Sequence, residues 1–423
     1  MQASNSRRQF LQSSGALILG AAATSSQFSA AQTDPGSNLQ SAIADEDYWT
    51  MVRAQFSFSE SSIPMNAANL CPAFRSVTET VNVLTADIDR DCSFNNRDKF
   101  SDLVARSRHL VAEQLNVSAD EIALVRNTSE ANNIINNGLQ LEPGDEILLW
   151  DQNHPTNNVA WDVRAARFGL TVNKVSTPQN PSSTDELLSS FTSQFNSRTR
   201  VLALTYVSNV SGIKLPISEL VEAAHARGIY VHVDGAQVWG AMDLDLKLLD
   251  VDSFSASAHK WFLGPKEVGL LYVKESNIER IWPGVIAPGW GGEVDTSLVG
   301  AGKFESLGQR DDAALAAIGV AATLHNTIGA PRIEERVTQL AQQLKHGIVG
   351  LGQEMVTPMD AEFSFGVCIM KVQNGLGGSI SNRLYTEYGI AAAATGGVRL
   401  CPTIYNTSEH IERAVAAIEA LMA

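Results

Sequence analysis

Cysteine is scarce in this chain, with four residues among 423, at positions 71, 92, 368 and 401. Thiols so few and so widely spaced exclude a disulfide-stapled scaffold and a zinc knuckle. The eight histidines form neither an HExxH motif nor a cluster with cysteine. The sequence therefore predicts no metal site.

Positive charge is also in short supply, because 31 Lys and Arg face 46 Asp and Glu, for a net charge of −15. An acidic chain without a basic tract repels a phosphate backbone, so nucleic-acid binding is not expected. Hydrophobic residues make up 44 % of the chain and charged residues 18 %. That composition excludes a disordered chain, and the length suggests about two or three compact units.

The N-terminus carries a segment that is set apart from the rest of the chain. Arg7 and Arg8 stand in Ser-Arg-Arg-Gln-Phe-Leu-Gln, an uncharged run spans 13–23, and 29–31 is Ser-Ala-Ala. The run is too short and too rich in Ser, Gly and Ala for a membrane-spanning helix. The pattern resembles a twin-arginine export signal. It predicts that residues 1–31 are removed and that the mature protein, passed by the twin-arginine export machinery, is periplasmic.

From about residue 101 the sequence alternates helical and strand-like patterns. Strands are predicted at 121–125, 146–150, 200–205, 229–233, 253–257 and 365–372, and helices at 103–115, 129–139, 217–227, 312–327, 331–350 and 408–422. Such alternation predicts an α/β fold with a mainly parallel sheet covered by helices on both faces. We expect a large domain over 61–300 and a smaller C-terminal domain over 301–423, with 32–60 packing on the smaller one.

Two charged residues follow neighbouring strand-like runs. Asp234 ends Val231-His-Val-Asp, and Lys260 comes 26 positions later in Ser-Ala-His-Lys-Trp-Phe-Leu-Gly-Pro-Lys. Open α/β sheets bind ligands at the carboxyl ends of their strands. A carboxylate for a pyridinium nitrogen and a lysine for an aldehyde are what pyridoxal phosphate (PLP) needs from a protein. An acid and a lysine placed in this way suit a PLP site.

These motifs resemble the class V aminotransferase family of fold-type I PLP enzymes, in its isopenicillin N epimerase-like branch. The resemblance rests on Asp-Gly-Ala-Gln at 234–237, Ser-Ala-His-Lys at 257–260 and Gly-Pro-Lys-Glu-Val-Gly at 264–269, and runs from about Met65 to the last helix. It implies a large domain with a seven-stranded, mainly parallel sheet, a smaller α+β C-terminal domain, bound PLP and a two-fold homodimer.

The resemblance also implies a role for individual residues. Lys260 would bind the cofactor's aldehyde and shuttle protons, and Asp234 would keep the ring nitrogen protonated. Arg399, with Asn66 beside it, would bind the substrate's carboxylate. The remaining predicted cofactor contacts are those to the phosphate (Thr128, Ser129, Ser257 and His259) and those to the ring or its phenolic oxygen (His154, Asn209, Ala236 and Gln237).

The sequence departs from the family pattern at two places. Where the family often has Gly-Thr reaching the phosphate of the neighbouring subunit, this chain has Gln309 and Arg310. We expect one of them to make that contact, with Gln309 as the candidate. The stretch 391–397 before Arg399 lacks the cysteine that desulfurases carry on a mobile loop. A desulfurase that forms a protein persulfide is therefore not expected.

The expected function is that of an exported aminotransferase-type PLP enzyme acting on the amino group of an amino acid or peptide. Exported family members that tailor a peptide siderophore (pyoverdine maturation) resemble this chain in signal and layout. The alternatives left open are an epimerase like isopenicillin N epimerase, a carbon–sulfur lyase, and a catalytically silent PLP-fold binding protein. Motif spacing does not separate these reactions, since pocket geometry decides them.

Overall fold

The computed structural model describes residues 46–286, 300–373 and 375–422. The predicted export signal at 1–31 lies outside the described residues. Among those described, no single helix is long and apolar enough to cross a membrane. Only Asp312–Ile328 and Ala330–Gly350 taken together, as a pair bent by 80°, reach the required length and hydropathy.

Eleven strands form one large and two small sheets across the described ranges. In chain order they are β1 Ile63–Pro64, β2 Ile122–Val125, β3 Glu146–Trp150, β4 Thr171–Val175, β5 Thr199–Thr205, β6 Tyr230–Asp234, β7 Ser253–Ser257, β8 Gly269–Val273, β9 Cys368–Met370, β10 Ile390–Ala391 and β11 Val398–Leu400. The large sheet has the order β2-β8-β7-β6-β5-β3-β4. Strand β8 pairs antiparallel with β2 and β7, and the other four pairings are parallel, so the sheet is mainly parallel, as predicted.

The α-helices of the described ranges follow the same chain order. They are α1 Glu46–Arg53, α2 Arg75–Arg90, α3 Phe94–Arg97, α4 Lys99–Gln114, α5 Thr128–Gly138, α6 Pro155–Phe168, α7 Thr184–Thr192, α8 Ile217–His225, α9 Leu246–Leu249, α10 Asp312–Ile328, α11 Ala330–Gly350, α12 Leu376–Tyr388 and α13 Ser408–Met422. Short 3₁₀ turns lie at Ala119–Glu121, Glu275–Arg280 and Gly300–Glu305.

The central strands are buried on both faces because their apolar residues alternate between two cores. On β3, Leu148 and Trp150 join the core that includes α10, whereas Ile147 and Leu149 join the one that includes α5 and α6. A strand places successive side chains on opposite faces, so a nearly continuous apolar run serves both layers. The α/β prediction is confirmed.

A third core lies around the short strands and the C-terminal helices. Ile63 and Met65 pack there with apolar residues of α11, α12 and α13, and β1 pairs in parallel with β10. The strand predicted at 365–372 is shorter than expected, because Gly366 has a φ of 56°. That left-handed conformation interrupts extended pairing before Cys368.

Candidate active site

A cleft of about 380 Å³ opens at the carboxyl ends of the central strands. Asp234, Thr205 and Ser257 end β6, β5 and β7, and the loops after β2 and β3 complete the wall. Its lining consists of Ala68, Asn69, Asn127, Thr128, Ser129, His154, Thr156, Thr205, Asn209, Asp234, Ala236, Gln237, Ser257, His259, Lys260, Thr395 and Arg399. We call this the cleft.

Asp234 is held firmly at the bottom of the cleft. Its side chain is almost fully buried, and Oδ1 accepts the N–H of Ala236 at 3.0 Å while Oδ2 accepts Nδ2 of Asn132 at 3.0 Å. The next residue must be glycine, since a Cβ at Gly235 would lie 1.8 Å from the Phe254 ring. The tight turn after β6 therefore fixes where the carboxylate points.

Lys260 lies in the turn after β7 and is the only lysine among the described residues that line the cleft. Burial lowers the pKa of its ammonium; the charge of Asp234 opposes that effect and the charge of Arg399 adds to it. Only the neutral amine attacks an aldehyde. The surroundings of Lys260 thus favour the reactive form of the side chain.

The loop between β2 and α5 forms a cradle for an anion. The Asn127 side chain caps the helix by accepting the N–H of Glu130 at 3.1 Å, and Ser257 Oγ accepts the N–H of Thr128 at 2.8 Å. A Cβ at Gly269 would lie 2.7 Å from Asn127 Cα, so the glycine lets the loop approach β8. Helix N-termini attract phosphate through their N–H groups and dipole.

Two histidines of the cleft are held in their neutral form. Burial lowers the pKa of His259 to about 4, with Lys260 and Lys266 adding to the effect. Burial also lowers the pKa of His154, Asp234 opposing and Lys260 adding. Because the N–H of Thr156 donates to Nδ1 of His154 at 3.3 Å, the neutral ring carries its proton on Nε2.

Arg399 lines the cleft and is held in place by hydrogen bonds to Asn209 and Asn66, which lie on other loops. Its Nη1 donates to the carbonyl of Asn209 at 2.9 Å, and its Nη2 donates to Oδ1 of Asn66 at 3.1 Å. Arg399 is 5 % exposed and no carboxylate pairs with it among the ion pairs of the described residues. A buried guanidinium without a carboxylate suits a carboxylate ligand.

The cleft brings together eleven of the thirteen residues predicted from the sequence. They are Thr128, Ser129, His154, Asn209, Asp234, Ala236, Gln237, Ser257, His259, Lys260 and Arg399. Asn66 is connected to the cleft through its bond to Arg399. Gln309 lies outside it, exposed and bonded to Arg97, so its predicted contact with a neighbouring subunit stays a prediction.

Sequence reasoning did not identify some residues of the site. Asn132 contacts Asp234 from α5 although 102 positions separate them, and Thr205, Asn69, Thr156 and Thr395 line the cleft. A polar residue one helical turn after Thr128 was the only available signal for Asn132, because side chains at i and i+4 share a helix face.

The residues of the cleft fit pyridoxal phosphate. Three buried polar atoms on its wall, Asn209 Oδ1, Thr205 Oγ1 and Arg399 Nε, have no hydrogen-bond partner within the described ranges. Buried polar atoms are rarely left unpaired, so they favour a polar ligand here. The α5 N-terminus would hold the phosphate, Asp234 the ring nitrogen and Lys260 the aldehyde carbon.

Comparison with known proteins gives a consistent result. The family model "Aminotransferase class-V" matches residues 84–414. Isopenicillin N epimerase of Streptomyces clavuligerus is 27 % identical over 399 residues, covering 90 % of this chain and 99 % of the relative. A cysteine desulfurase of Escherichia coli is 37 % identical over 169 residues, covering 39 % of this chain and 41 % of the relative.

The solved structures that resemble this fold include a variant of the lyase C-DES with glycine covalently linked to its PLP cofactor. The two chains superpose with a TM-score of 0.78 at 24 % sequence identity, covering 87 % of this chain and 98 % of the other. At that identity the likeness concerns the fold.

Proposed function

The chain belongs to the class V aminotransferase family of PLP enzymes, and on that premise we propose that it acts on the amino group of an amino acid or peptide, by aminotransfer. The observation that carries the proposal is the meeting of Lys260, Asp234 and Arg399 in one cleft. When bound, PLP supplies an aldehyde for the substrate's amino group and a ring that weakens the bonds at the substrate's α-carbon.

Arg399 orients the substrate. Its guanidinium is held by the carbonyl of Asn209 and the amide oxygen of Asn66, so it cannot swing freely. A carboxylate bound by this planar fork would be fixed in direction as well as position. Orientation of the α-carboxylate in turn selects which bond of the α-carbon is exposed to reaction.

Lys260 moves the proton. The lowered pKa of its amine increases the share of neutral Nζ, which is the form that acts as a base, and the returned proton would come from the same atom. Aminotransfer, epimerisation and elimination share this proton removal and differ in where the proton returns or which group leaves.

Spectroscopy with an amino donor tests aminotransfer. Purified, PLP-loaded protein is mixed with L-glutamate and the visible cofactor band is followed. Conversion to the pyridoxamine form, absent in Lys260→Ala, is the expected result. Aminotransfer is refuted if every amino acid of a panel leaves the cofactor in the pyridoxal form while the same protein preparation consumes a substrate by another reaction.

Epimerisation is the second candidate, and the full-length similarity to isopenicillin N epimerase favours it. Chiral chromatography of amino acids and aminoacyl peptides incubated with the protein in deuterated water tests it. Appearance of the opposite enantiomer with deuterium at the α-carbon, without pyridoxamine formation, would replace aminotransfer by epimerisation.

Carbon–sulfur cleavage is a further alternative, because C-DES is named as a cystine C–S lyase. Cys71, Cys368 and Cys401 are buried and Cys92 is exposed, but none of them lines the cleft. A route through a protein persulfide is therefore disfavoured, whereas direct elimination from cystine can be tested by assay.

A catalytically silent binding protein is the non-enzymatic alternative. It would keep the PLP band yet turn over no amine.

We also propose that the twin-arginine machinery exports the protein to the periplasm. Its substrate there is a peptide siderophore, which it tailors in the manner of pyoverdine maturation. The support is the Arg7-Arg8 motif with its uncharged run and the likeness to exported family members. Changing both arginines to lysine should leave the precursor in the cytoplasm, whereas Arg383→Lys, on an exposed helix surface, should not. Unchanged export of the double variant contradicts the signal.

A two-fold homodimer is part of the same proposal. Arg310 is occupied in its own chain, where it donates to the carbonyl of Leu124. Gln309 is also bonded in its own chain, to Arg97, but it is exposed whereas Arg310 is half-buried, so Gln309 is the better placed of the two to reach a neighbouring phosphate. Sedimentation should give twice the chain's mass, and a stable monomer with full PLP affinity would refute the shared site.

A further inference from the structure

A network of buried polar side chains lies behind Asp234, on the side away from the cleft. Nδ2 of Asn132 donates to Asp234 Oδ2 at 3.0 Å. Nε2 of His232 lies 2.9 Å from Asn132 Oδ1, and Nδ1 of His232 lies 2.8 Å from Ser253 Oγ. Ser255 also donates to Asn132 Oδ1.

The direction of every hydrogen bond in this network follows from the bond between Asn132 and Asp234. A carboxylate only accepts, so the amide nitrogen of Asn132 must face Asp234 and its oxygen must face His232. The oxygen only accepts as well, so Nε2 of His232 carries a proton. Burial lowers the pKa of His232 to about 4, so the ring is neutral, and Nδ1 accepts from the Ser253 hydroxyl.

All members of the network are shielded from solvent. Asn132, His232, Ser253 and Ser255 each have 0 % relative exposure, and neither Asn132 nor His232 lines the cleft. Burying four polar side chains is costly unless each is fully paired. Here each is paired, and Asp234 is the only residue of the network that lines the cleft within the described part of the chain.

We propose that Asn132 and His232 are positioning residues that fix the Asp234 carboxylate for the ring nitrogen of PLP, His232 acting through Asn132. Asn132 holds one carboxylate oxygen directly. His232 and Ser255 hold the Asn132 amide in the orientation that presents its nitrogen to Asp234. The proposal concerns cofactor binding and is independent of the reaction that follows it.

The test measures the dissociation constant of PLP from apo-protein by equilibrium dialysis, together with the melting temperature of the apo-protein. Asn132→Ala should weaken PLP binding by about 10- to 100-fold, because it removes a hydrogen bond to a charged group. Asn136→Ala is the matched control. Asn136 is the same residue type, equally buried, one turn along α5, but it bonds Asn157 instead, so it should lower the melting temperature without weakening PLP binding.

A double-mutant cycle tests whether His232 acts through Asn132. His232→Leu should weaken PLP binding in the native background and change it by less than about twofold in the Asn132→Ala background. His232→Gln keeps an N–H near the Nε2 position and should restore most of the affinity. If Asn132→Ala does not fold, the nearly isosteric Asn132→Leu makes the same test by removing the donor without adding a second ionisable group.

The proposal is overturned if loss of Asn132 leaves the PLP dissociation constant unchanged, or if Asn136→Ala weakens it equally. It is also overturned if the effects of the Asn132 and His232 changes are additive, since independent contributions would mean a general packing role. Because PLP binding is measured without substrate, these outcomes do not depend on whether the protein is an aminotransferase or an epimerase.

Discussion

Nε1 of Trp261 lies 2.9 Å from Oε1 of Gln237, and both side chains are buried. An indole N–H only donates, so the Gln237 amide oxygen is held on the tryptophan side. Its nitrogen therefore faces the other way, where it donates to the carbonyl of Ala68 at 3.1 Å. Gln237 lines the cleft, so Trp261 determines that the glutamine would present a donor, and not an acceptor, to the phenolic oxygen of bound PLP.

The first prediction removes that orienting bond. Trp261→Phe should weaken PLP binding by roughly fivefold or more and alter the visible band, because the amide can then turn its oxygen toward the phenolic oxygen. Trp239→Phe is the matched control, since Trp239 is equally buried and its Nε1 has no partner in the described chain. Equal PLP affinities of the two variants would contradict the orienting role.

The second prediction concerns the pH dependence of cofactor capture. Because the pKa of Lys260 is lowered from 10.5, the rate at which apo-protein captures PLP should rise with pH and level off below pH 10.5. Arg399→Gln removes a positive charge that lowers this pKa, so the midpoint should move to higher pH. Stopped-flow absorbance measures the rate.

Arg383→Gln provides the control for that shift, because Arg383 is exposed and pairs with Glu387 on α12. Its midpoint should equal that of the native protein. A native midpoint at 10.5, or one that does not move in Arg399→Gln, would show that the charges of the cleft do not tune Lys260.

Much of the fold could be predicted because its central strands are short apolar runs with clear ends. The bounds of β3, β7 and α13 agree with those read from the sequence. Strands β4 and β8 were not predicted. Thr171–Val175 lies at the sheet edge, where only Val175 is buried, and it lacks an apolar run. Strand β8 is the fully buried run Gly-Leu-Leu-Tyr-Val, so its pattern was present in the sequence and was missed.

The site was predictable where its residues follow strands and belong to motifs, as Asp234 and Lys260 do. Asn132 was missed because it reaches Asp234 only after α5 has packed against β6 and β7. Trp261 stands beside Lys260 in the sequence, yet its bond to Gln237 depends on the turn that follows β7. Such positioning residues depend on tertiary geometry, which motif spacing does not contain.

The third prediction addresses the thiols. Burial raises the pKa of Cys71 and of Cys368 to about 12, and it also raises the pKa of Cys401. Iodoacetamide should therefore modify Cys92 alone in native protein, and Cys92→Ser should abolish labelling without changing turnover. Mass spectrometry of tryptic peptides identifies the labelled thiol. Rapid labelling of a second cysteine, or loss of turnover in Cys92→Ser, would reopen the persulfide route.

The fourth prediction concerns stability at helix α1. Arg336 on α11 is fully buried and binds Glu46 on α1 through two hydrogen bonds, of 2.6 and 3.0 Å. Glu46→Gln should lower the free energy of unfolding by about 2 kcal/mol, because it leaves the buried guanidinium without its counter-charge. Glu354→Gln is the control, because its pair with Lys371 is exposed and should contribute little.

The same ion pair predicts how stability depends on pH. Partial burial opposes ionisation of Glu46, but the hydrogen bond and charge of Arg336 hold its pKa below the usual 4.5. The contribution of the pair should therefore be complete above pH 4.5 and be lost as pH falls through the lowered pKa of the folded state. Urea unfolding of native protein and Glu46→Gln should give curves that differ at neutral pH and converge in acid. A difference that persists unchanged in acid would mean that Glu46 stabilises α1 by packing, without its charge.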